Sequence, residues 1–384
     1  MKKFLPLFAV IALAACRKDP KPQVMPPAFS HFYGTSNDEI GRQVKSLPDG
    51  SIVVGGYGVG SNGGNDFFLM KTDSTGNELW RRYYGSGGDE NMWSFDVTPD
   101  GGFVIGGNSN SFGTGGYDFF IVKTDADGFV QWQKVYGGPL NENMTHIRAL
   151  PNGFLCCGVL PTTNDENAFI LRLDASGDSL WSFMYGGNGG DGAMSSCDGG
   201  NNRHVITGYT NSAVSGGTNG FLLLLNDNGE EITHYNFGTP EYDEPHSVIP
   251  AIDGDGWVIT GHRGSAIDLT THNVFVTAIG NDGTQRWNYS YGGDQHDGGE
   301  CIVASGNSYG IVGRSSSHAG YSQDVYFTEI DRNGNQLQQQ WLGTTADDAG
   351  YGIDGERYGF VMTGYASGGP FGGKDIFLAR VLKK

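Results

Sequence analysis

The chain has 384 residues, 64 of which are glycine, and its formal net charge at pH 7 is −18. An acidic surface repels phosphate backbones and anionic headgroups, so binding to nucleic acid or to a membrane surface by charge is excluded. Apolar segments separate the glycines, which indicates a folded protein with many turns rather than a low-complexity chain.

The first 15 residues, MKKFLPLFAVIALAA, are predicted to be a secretory signal peptide. Two lysines precede an apolar run that is too short to span a membrane and that ends at small residues. Cys16 follows directly, and Leu-Ala-Ala-Cys resembles a bacterial lipobox. The resemblance implies cleavage before Cys16 and acylation of its sulfur and its new amino group, which together anchor a protein stably in a membrane. An ordinary signal peptide with a chance cysteine is the alternative.

Residues 16–27 form the predicted lipidated tether. The segment is charged and rich in proline, which is typical of a short extended linker. By the sorting pattern of bacterial lipoproteins, Arg17 after the cysteine favours the outer membrane over the inner membrane. We therefore expect a protein of the Gram-negative cell envelope that is held there by its lipids, because no later segment approaches membrane-spanning length.

Residues 28–384 contain seven copies of one repeat. The same glycine, usually preceded by tyrosine, recurs about every 50 residues, and this period is typical of propellers and other repeat arrays. The repeats begin near Gly34, Gly85, Gly137, Gly186, Gly238, Gly292 and Gly343.

Each repeat is predicted to contain four short strands. In the second repeat the first strand spans 94–98 and ends at a Pro-Asp-Gly sequence, which favours a tight turn. The second strand ends on a small residue and glycine, and the third is an apolar run such as DFFIV, which indicates burial on both faces. The fourth follows an Asp-x-x-Gly turn and carries a tryptophan, Trp132 in this repeat.

The two ends of the repeat region are complementary. The seventh repeat stops after its third strand, Asp375 to Leu382, whereas Ala28 to Gly34 matches the fourth strand of the other repeats. The N-terminal strand is thus predicted to complete the last blade, which removes the open sheet edges. These features predict an all-β fold, a seven-bladed β-propeller of four-stranded antiparallel blades.

The repeat unit YGG…D[EG]…DGG[FY]…GG…D[FV]F…KTD..G…W resembles the SBBP-type bacterial β-propeller repeat. The segment KTDSTGNELW is similar to the tryptophan-docking motif of quinoprotein-like propellers. The resemblance covers residues 28–382 and implies a bacterial β-propeller lipoprotein. It carries over no catalytic residue, because members include envelope lipoproteins without an assigned activity.

Four cysteines remain after Cys16. Cys156 and Cys157 replace an Ile-Gly pair inside a predicted strand, so we expect buried free thiols. A redox-active vicinal pair is the alternative. The other two are Cys197 and Cys301.

A carboxylate or amide recurs near the start of every repeat and again before every third strand. Clustered oxygen atoms could bind Ca²⁺, or each side chain could bind backbone amides of its own loop. Because every repeat keeps the feature, we predict the structural role and no cofactor. The first set is Asp38, Asp89, Asn141, Asp191, Asp243, Asp297 and Asp347, with Glu39, Glu90, Glu142, Glu244 and Asp348 as second acids; the second set is Asp66, Asp118, Asn167, Asn219, Asn273, Asp324 and Asp375.

Repeats five and six differ from the others in their histidine, arginine and carboxylate residues. His246 and Glu300 match on neighbouring inner strands, and His262 and Arg314 match on the adjoining loops. A ligand site should break the repeat symmetry, so these four are predicted to converge at the channel mouth and to bind the ligand, with few packing contacts. Surface histidines without a function are the alternative. Arg263, His272, His296 and His318 belong to the same two repeats.

We align His246 with Gly41, Met92 and Met144 of other repeats. No HExxH or CxxC spacing occurs, so no metal site is predicted. Aromatic residues near the same mouth are candidates for stacking on sugar rings or for packing between blades. They are Tyr57, Trp93, Tyr209, Tyr351 and Tyr365.

We expect an envelope lipoprotein that binds a protein or glycan through the propeller face with the longer loops, without catalysis. A carbohydrate-active hydrolase or lyase that uses the histidines and carboxylates of repeats five and six is the second hypothesis. A structural scaffold of a membrane complex is the third. A deep pocket with converging polar groups favours the enzyme, and a symmetric acidic rim favours binding.

Overall fold

The structure is a computed structural model that describes residues 27–61, 63–163, 165–212, 217–264, 272–318 and 322–384. The predicted signal peptide, Cys16 and all but the last residue of the tether lie outside these described residues. Within the described ranges there is no helix with the length and apolar character needed to cross a membrane.

The described residues form seven four-stranded antiparallel sheets, the blades of the propeller. Blades one to six contain β2–β5, β6–β9, β10–β13, β14–β17, β18–β21 and β22–β25, and blade seven contains β26–β28 with β1. The predicted seven-bladed β-propeller is therefore confirmed. The strands are β1 (Phe29–Tyr33), β2 (Glu39–Ser46), β3 (Ile52–Val59), β4 (Asn65–Thr72), β5 (Glu78–Tyr84), β6 (Glu90–Val97), β7 (Phe103–Ser109), β8 (Asp118–Thr124), β9 (Val130–Tyr136), β10 (Asn143–Leu150), β11 (Gly153–Pro161), β12 (Glu166–Leu173), β13 (Ser179–Tyr185), β14 (Asp191–Asp198), β15 (Arg203–Thr210), β16 (Asn219–Asn226), β17 (Glu231–Phe237), β18 (Tyr242–Pro250), β19 (Trp257–Gly264), β20 (Asn273–Ile279), β21 (Gln285–Tyr291), β22 (Asp297–Ser305), β23 (Ser308–Ser315), β24 (Asp324–Asp331), β25 (Gln336–Leu342), β26 (Asp348–Glu356), β27 (Gly359–Ala366) and β28 (Asp375–Leu382).

The burial of the strands explains their composition. Every residue of β7 and β8 is buried, because neighbouring blades cover both faces of the sheet, whereas most residues of the outer strand β9 are at least partly exposed. The apolar runs of the third strands therefore fill the space between blades. The first strand of blade two begins at Glu90 rather than at Ser94, because pairing with β7 continues on both sides of a bulge.

The N-terminal strand closes the ring as predicted. β1 pairs with β28 from Phe29 opposite Arg380 to Tyr33 opposite Ile376. The Tyr33 hydroxyl donates to the carbonyl of Gly76 in blade one. The same contact joins blades one and two, where the Tyr84 hydroxyl donates to a carbonyl at 2.8 Å. β1 therefore acts as the outer strand of blade seven and also holds that blade to blade one.

The cysteines of the described residues are free thiols. Cys156 and Cys157 lie in β11 and are fully buried, as predicted, and Cys197 is also buried. Burial raises the pKa of Cys157 to about 12, so the thiol is neutral at physiological pH. This environment does not suit a redox pair, since thiol reactivity requires the thiolate.

Candidate functional site

Each of the seven innermost strands contains a β-bulge at the same place. A bulge adds one residue that is not paired and directs its side chain away from the regular alternation. All seven bulged residues line a central cavity of about 140 Å³. We call these residues the bulge ring: Arg42, Trp93, Thr145, Met194, His246, Glu300 and Tyr351.

The bulge corrects the alignment that placed Gly41, Met92 and Met144 opposite His246. Each of those three residues pairs with the glycine of the second strand, and in blade five the residue in this position is Pro245. The predicted match was one residue out of register, and a shift of one residue changes the side of the strand to which a side chain points.

The four predicted site residues converge on one carboxylate. Glu300 Oε2 lies 2.9 Å from Nδ1 of His246, and Glu300 Oε1 lies 3.3 Å from Nε2 of His262. A guanidinium nitrogen of Arg314 lies 3.5 Å from the same Oε1. His262 and Arg314 project from β19 and β23 rather than from loops. Strand pairing and the bulges thus bring the four side chains together across blades five and six.

The expectation that these residues make few packing contacts is wrong. The side chains of His262 and Glu300 are only 5% and 12% exposed, and the His246 ring stacks on the His262 ring at 4.4 Å between centroids. Glu300 and His246 line the central cavity, and the His246 ring covers that of His262. Alanine at all four positions would therefore also change stability.

Glu244 is a fifth member of this cluster whose position the sequence analysis missed. Its Oε1 lies 3.5 Å from Nε2 of His246, and it accepts a hydrogen bond from the Tyr242 hydroxyl. From the sequence, Glu244 is predicted to be a second acid of the repeated ring. The period of two along a strand does not predict this contact, because His246 is the bulged residue and departs from the alternation of β18.

The charges of the cluster are strongly coupled. Burial alone lowers the pKa of His246, but the carboxylates of Glu300 and Glu244 outweigh it and raise that pKa to about 10. Burial alone raises the pKa of Glu300, but the charges and hydrogen bonds of His246 and His262 together outweigh it and hold that pKa well below its usual range. Burial and the neighbouring His246 charge lower the pKa of His262 to about 4. At neutral pH the cluster contains a charged His246 and a neutral His262.

The opposite side of the bulge ring holds a cation between two aromatic rings. The Arg42 guanidinium carbon lies 3.9 Å from the ring centroid of Trp93 and 4.2 Å from that of Tyr351. These contacts stabilise the arginine over the ring faces. One face of each ring is thus covered by Arg42 and does not serve as a platform for a sugar.

Other residues of repeats five and six divide into two groups. His296 lies beside His262, with 6.1 Å between ring centroids, and His272 lies 5.2 Å from His296. Arg263 instead pairs with Asp243, and His318 stacks on Trp341 at 4.8 Å. The last two residues therefore support the blade and lie outside the cluster.

The repeated acidic positions bind backbone amides, as the structural interpretation predicted. The predicted ring nevertheless combines two different positions. Asp89 accepts the amide of Asn65 from the preceding blade at 3.1 Å, whereas the next residue, Glu90, accepts the amide of Ser86 in its own loop at 2.8 Å. The buried position is therefore Glu39, Glu90, Glu142, Asp191, Asp243, Asp297 and Asp348.

Asp66, which precedes the apolar run of β4, meets a second carboxylate. A Cβ added to Gly85 would lie 2.1 Å from Asp66 Oδ1 and 2.4 Å from Glu90 Oε2, so the two carboxylates share one small space. Burial, followed by the charge of Glu90, raises the pKa of Asp66 to about 6. Blades three to five have asparagine at this position: Asn167, Asn219 and Asn273.

Asp66→Asn is expected to raise stability at pH 8 but not at pH 5. A carboxyl group whose pKa is raised by folding stabilises the native state while protonated, and this contribution is lost as the pH rises through about 6. One pKa unit corresponds to about 1.4 kcal/mol, and partial solvent access reduces the effect, so we expect a gain on the order of 1 kcal/mol at pH 8. Thermal unfolding at both pH values measures it.

The converse variant is Asn219→Asp, which places a carboxylate beside Asp243. It should lower the melting temperature more at pH 8 than at pH 5. Effects of equal size at the two pH values would contradict the coupling of these carboxylates.

Comparisons with known proteins identify the fold. No family model and no curated protein matches the sequence. A protein of unknown function from Dyadobacter fermentans superimposes with a TM-score of 0.53 at 13% identity, over 93% of this chain and 98% of that one. The β-propeller domain of the Trilobed protease from Pyrococcus furiosus, described as having an open velcro topology, gives a TM-score of 0.51 at 8% identity, over 89% and 95% of the two chains.

At these identities the similarity concerns the fold alone. The fold and the channel together define a seven-bladed β-propeller whose symmetric scaffold carries an asymmetric polar cluster. The resemblance to SBBP-type and quinoprotein-like repeats remains a prediction, since no family model supports it.

Proposed function

We propose that this chain is a lipid-anchored binding protein of the Gram-negative cell envelope, whose propeller captures a protein or glycan ligand at its central channel. The observation that carries the proposal is the bulge ring. Seven equivalent positions of a repeated scaffold hold seven different side chains, and two of the three charged ones, His246 and Glu300, lie side by side in blades five and six. A purely structural scaffold has no need for such differences, whereas one binding event requires unlike groups on neighbouring blades.

The size of the cavity limits what enters it. About 140 Å³ is smaller than the 300–1,000 Å³ or so that is typical of sites for whole small molecules. The inserted part of the ligand is thus one polar group, such as a side chain, a chain end or a single sugar substituent. The remainder of the ligand would rest on the loops of the same face, where a rigid scaffold commonly presents binding residues.

The enzymatic alternative receives less support from the geometry. A glycosidase places two carboxylates on either side of the scissile bond, typically about 5–10 Å apart. Here Glu244 and Glu300 both contact the same imidazole, that of His246. Both carboxylates are thus engaged in ion pairs with His246, and they do not face each other across a space for a substrate.

Arg314→Gln is expected to weaken ligand binding at least about tenfold, because loss of a charged hydrogen-bond donor costs about 1.5–3 kcal/mol. Glutamine keeps much of the length of the side chain, and Arg314 is 27% exposed, so the fold should tolerate the change. The full chain, purified in detergent, is applied to a glycan array and to envelope extracts, and each ligand found is then titrated against the variant.

The matched control is Lys134→Gln, which removes a cation that pairs with Asp178 at 2.8 Å outside the channel. It should bind every ligand as the original chain does. Ligands that bind the Arg314 variant and the control equally well would place the binding surface outside the channel and contradict the proposal.

A further inference from the structure

Three potential metal ligands meet in the channel cluster. Glu244, His246 and His262 each offer one ligand atom, and these atoms all lie within 4.8 Å of one another among the described residues. Two ligands bound about 2.1 Å from a tetrahedral metal are separated by roughly 3.4 Å. The 3.5 Å between His246 Nε2 and Glu244 Oε1 matches that separation.

The second nitrogen of His246 is held as metal-binding histidines usually are. Its Nδ1 lies 2.9 Å from Glu300 Oε2, and Glu300 is itself held by Arg314 at 3.5 Å. In metal sites the imidazole commonly donates its other N–H group to a carboxylate, which orients the ring and increases its basicity. Glu300 and Arg314 would serve this outer role, while Nε2 of His246 faces Glu244 and would release its proton to solvent when a metal binds.

Neither Nε2 atom of the stacked histidines makes a well-aligned hydrogen bond among the described residues, although each lies within 3.5 Å of a carboxylate oxygen. His262 is also buried, at 4% exposure. Buried polar atoms are rarely left unpaired in proteins, and such an exception calls for a specific explanation. A metal ion between the two histidines and Glu244 would pair both nitrogens at once.

Gly298 makes room for the His262 ring. A Cβ at this position would lie 2.3 Å from His262 Nε2. The clash would move the end of the side chain and leave the backbone in place. Substitution of Gly298 by alanine would therefore displace the His262 ring without removing the histidine.

We propose that Glu244, His246 and His262 bind one divalent first-row transition-metal ion, with Zn²⁺ as its model, beside the central cavity that His246 lines. Two imidazoles and one carboxylate suit Zn²⁺ and its neighbours, whereas Ca²⁺ and Mg²⁺ prefer oxygen ligands. Three protein ligands leave one tetrahedral position for an exchangeable group. Sequence spacing predicted no metal, because these ligands come from two strands and form no compact motif.

The test titrates the full chain, stripped with a chelator and free of any affinity tag, with Zn²⁺ alone by calorimetry and with Co²⁺ by visible absorption. One ion per chain is expected, with the visible bands of Co²⁺ bound to nitrogen and oxygen ligands. Because no other ligand is present, a failure here leaves the proposed protein or glycan binding untouched.

His262→Ala and Glu244→Gln should each weaken Zn²⁺ binding by more than about tenfold, and Gly298→Ala should weaken it by about tenfold through displacement of the ring. The matched control is His234→Ala. His234 is a partly exposed histidine that pairs with Glu231 at 2.7 Å on an outer strand, and its removal should leave binding unchanged.

Circular dichroism identifies variants that fail to fold. Glu244→Gln and Gly298→Ala keep both histidines. If His262→Ala unfolds, the Zn²⁺ affinities of these two variants test the proposal. The proposal is overturned if the folded original chain binds no Zn²⁺ at millimolar concentration. It is also overturned if the folded cluster variants bind Zn²⁺ as tightly as His234→Ala does.

Discussion

Deletion of residues 28–33 is expected to destabilise the propeller by more than about 4 kcal/mol, well beyond a typical single substitution. The deletion removes the whole ladder between β1 and β28 and leaves the edge of β28 unpaired. It also removes the contact between the rings of Phe32 and Phe377, whose centroids are 6.0 Å apart, and the bond from Tyr33 to Gly76. Thermal and denaturant unfolding measure the loss.

Two controls separate ring closure from a general effect of shortening the chain. Deletion of residues 17–26 should leave the melting temperature unchanged, because the ladder begins at Phe29. Tyr33→Phe should cost only about 1 kcal/mol, as expected for one hydrogen bond, and Tyr84→Phe should cost a similar amount at the equivalent junction. A truncated chain that unfolds at the temperature of the intact one would show that β1 contributes nothing to closure.

Cys16→Ser is expected to move the protein almost entirely from the membrane fraction to the soluble fraction. Under the proposed anchoring, the acyl chains on Cys16 are the attachment, and two or more acyl chains are needed for stable binding to a bilayer. The strongly acidic chain gains no help from anionic lipid headgroups. Cell fractionation and labelling with radioactive palmitate measure the change.

The control for this experiment is Cys301→Ser, which changes a half-buried thiol at the channel and leaves Cys16 intact. It should stay in the membrane fraction and incorporate label. Two results would contradict the lipid anchor: palmitate label that still enters the Cys16 variant, or an original chain found in the soluble fraction.

The fold follows from the sequence because each blade forms from strands that are neighbours along the chain. Four strands and their short turns repeat about every 50 residues, so strand pairing follows chain order within each blade. The N-terminal strand, which begins at Phe29, and the last strand, which ends at Leu382, complement each other. They predict the long-range pairing that closes the ring. Apolar third strands indicate cover on both faces, which only stacked blades provide.

The neighbours in the site also follow from the repeats. Equivalent positions in adjacent repeats become adjacent positions around the channel, so the match between His246 and Glu300 predicts their contact. The structure brings them to 2.9 Å. The same reasoning brings His262 and Arg314 to that carboxylate.

The tertiary structure alone decided which way these side chains point and how deeply they lie. The bulge in each inner strand shifts the register, so Met92 and His246 are not equivalent although the sequence suggested it. Only the structure also distinguishes Asp89 from Glu90. Asp89 accepts a backbone amide of the preceding blade, whereas Glu90 accepts one of its own loop. Composition does not reveal a bulge, because its position depends on the hydrogen bonds that the partner strand offers.

Burial was the second property that required the structure. His262 follows a glycine at the end of a strand, where the sequence is compatible with an exposed loop. Packing of blade six against blade five, with Gly298 opposite the imidazole, encloses it instead. Glu244 likewise joins His246 and His262 only because β18 and β19 pair at that register. The sequence thus determined the ring and the order of its blades, and contacts between strands and blades determined the chemistry inside the channel.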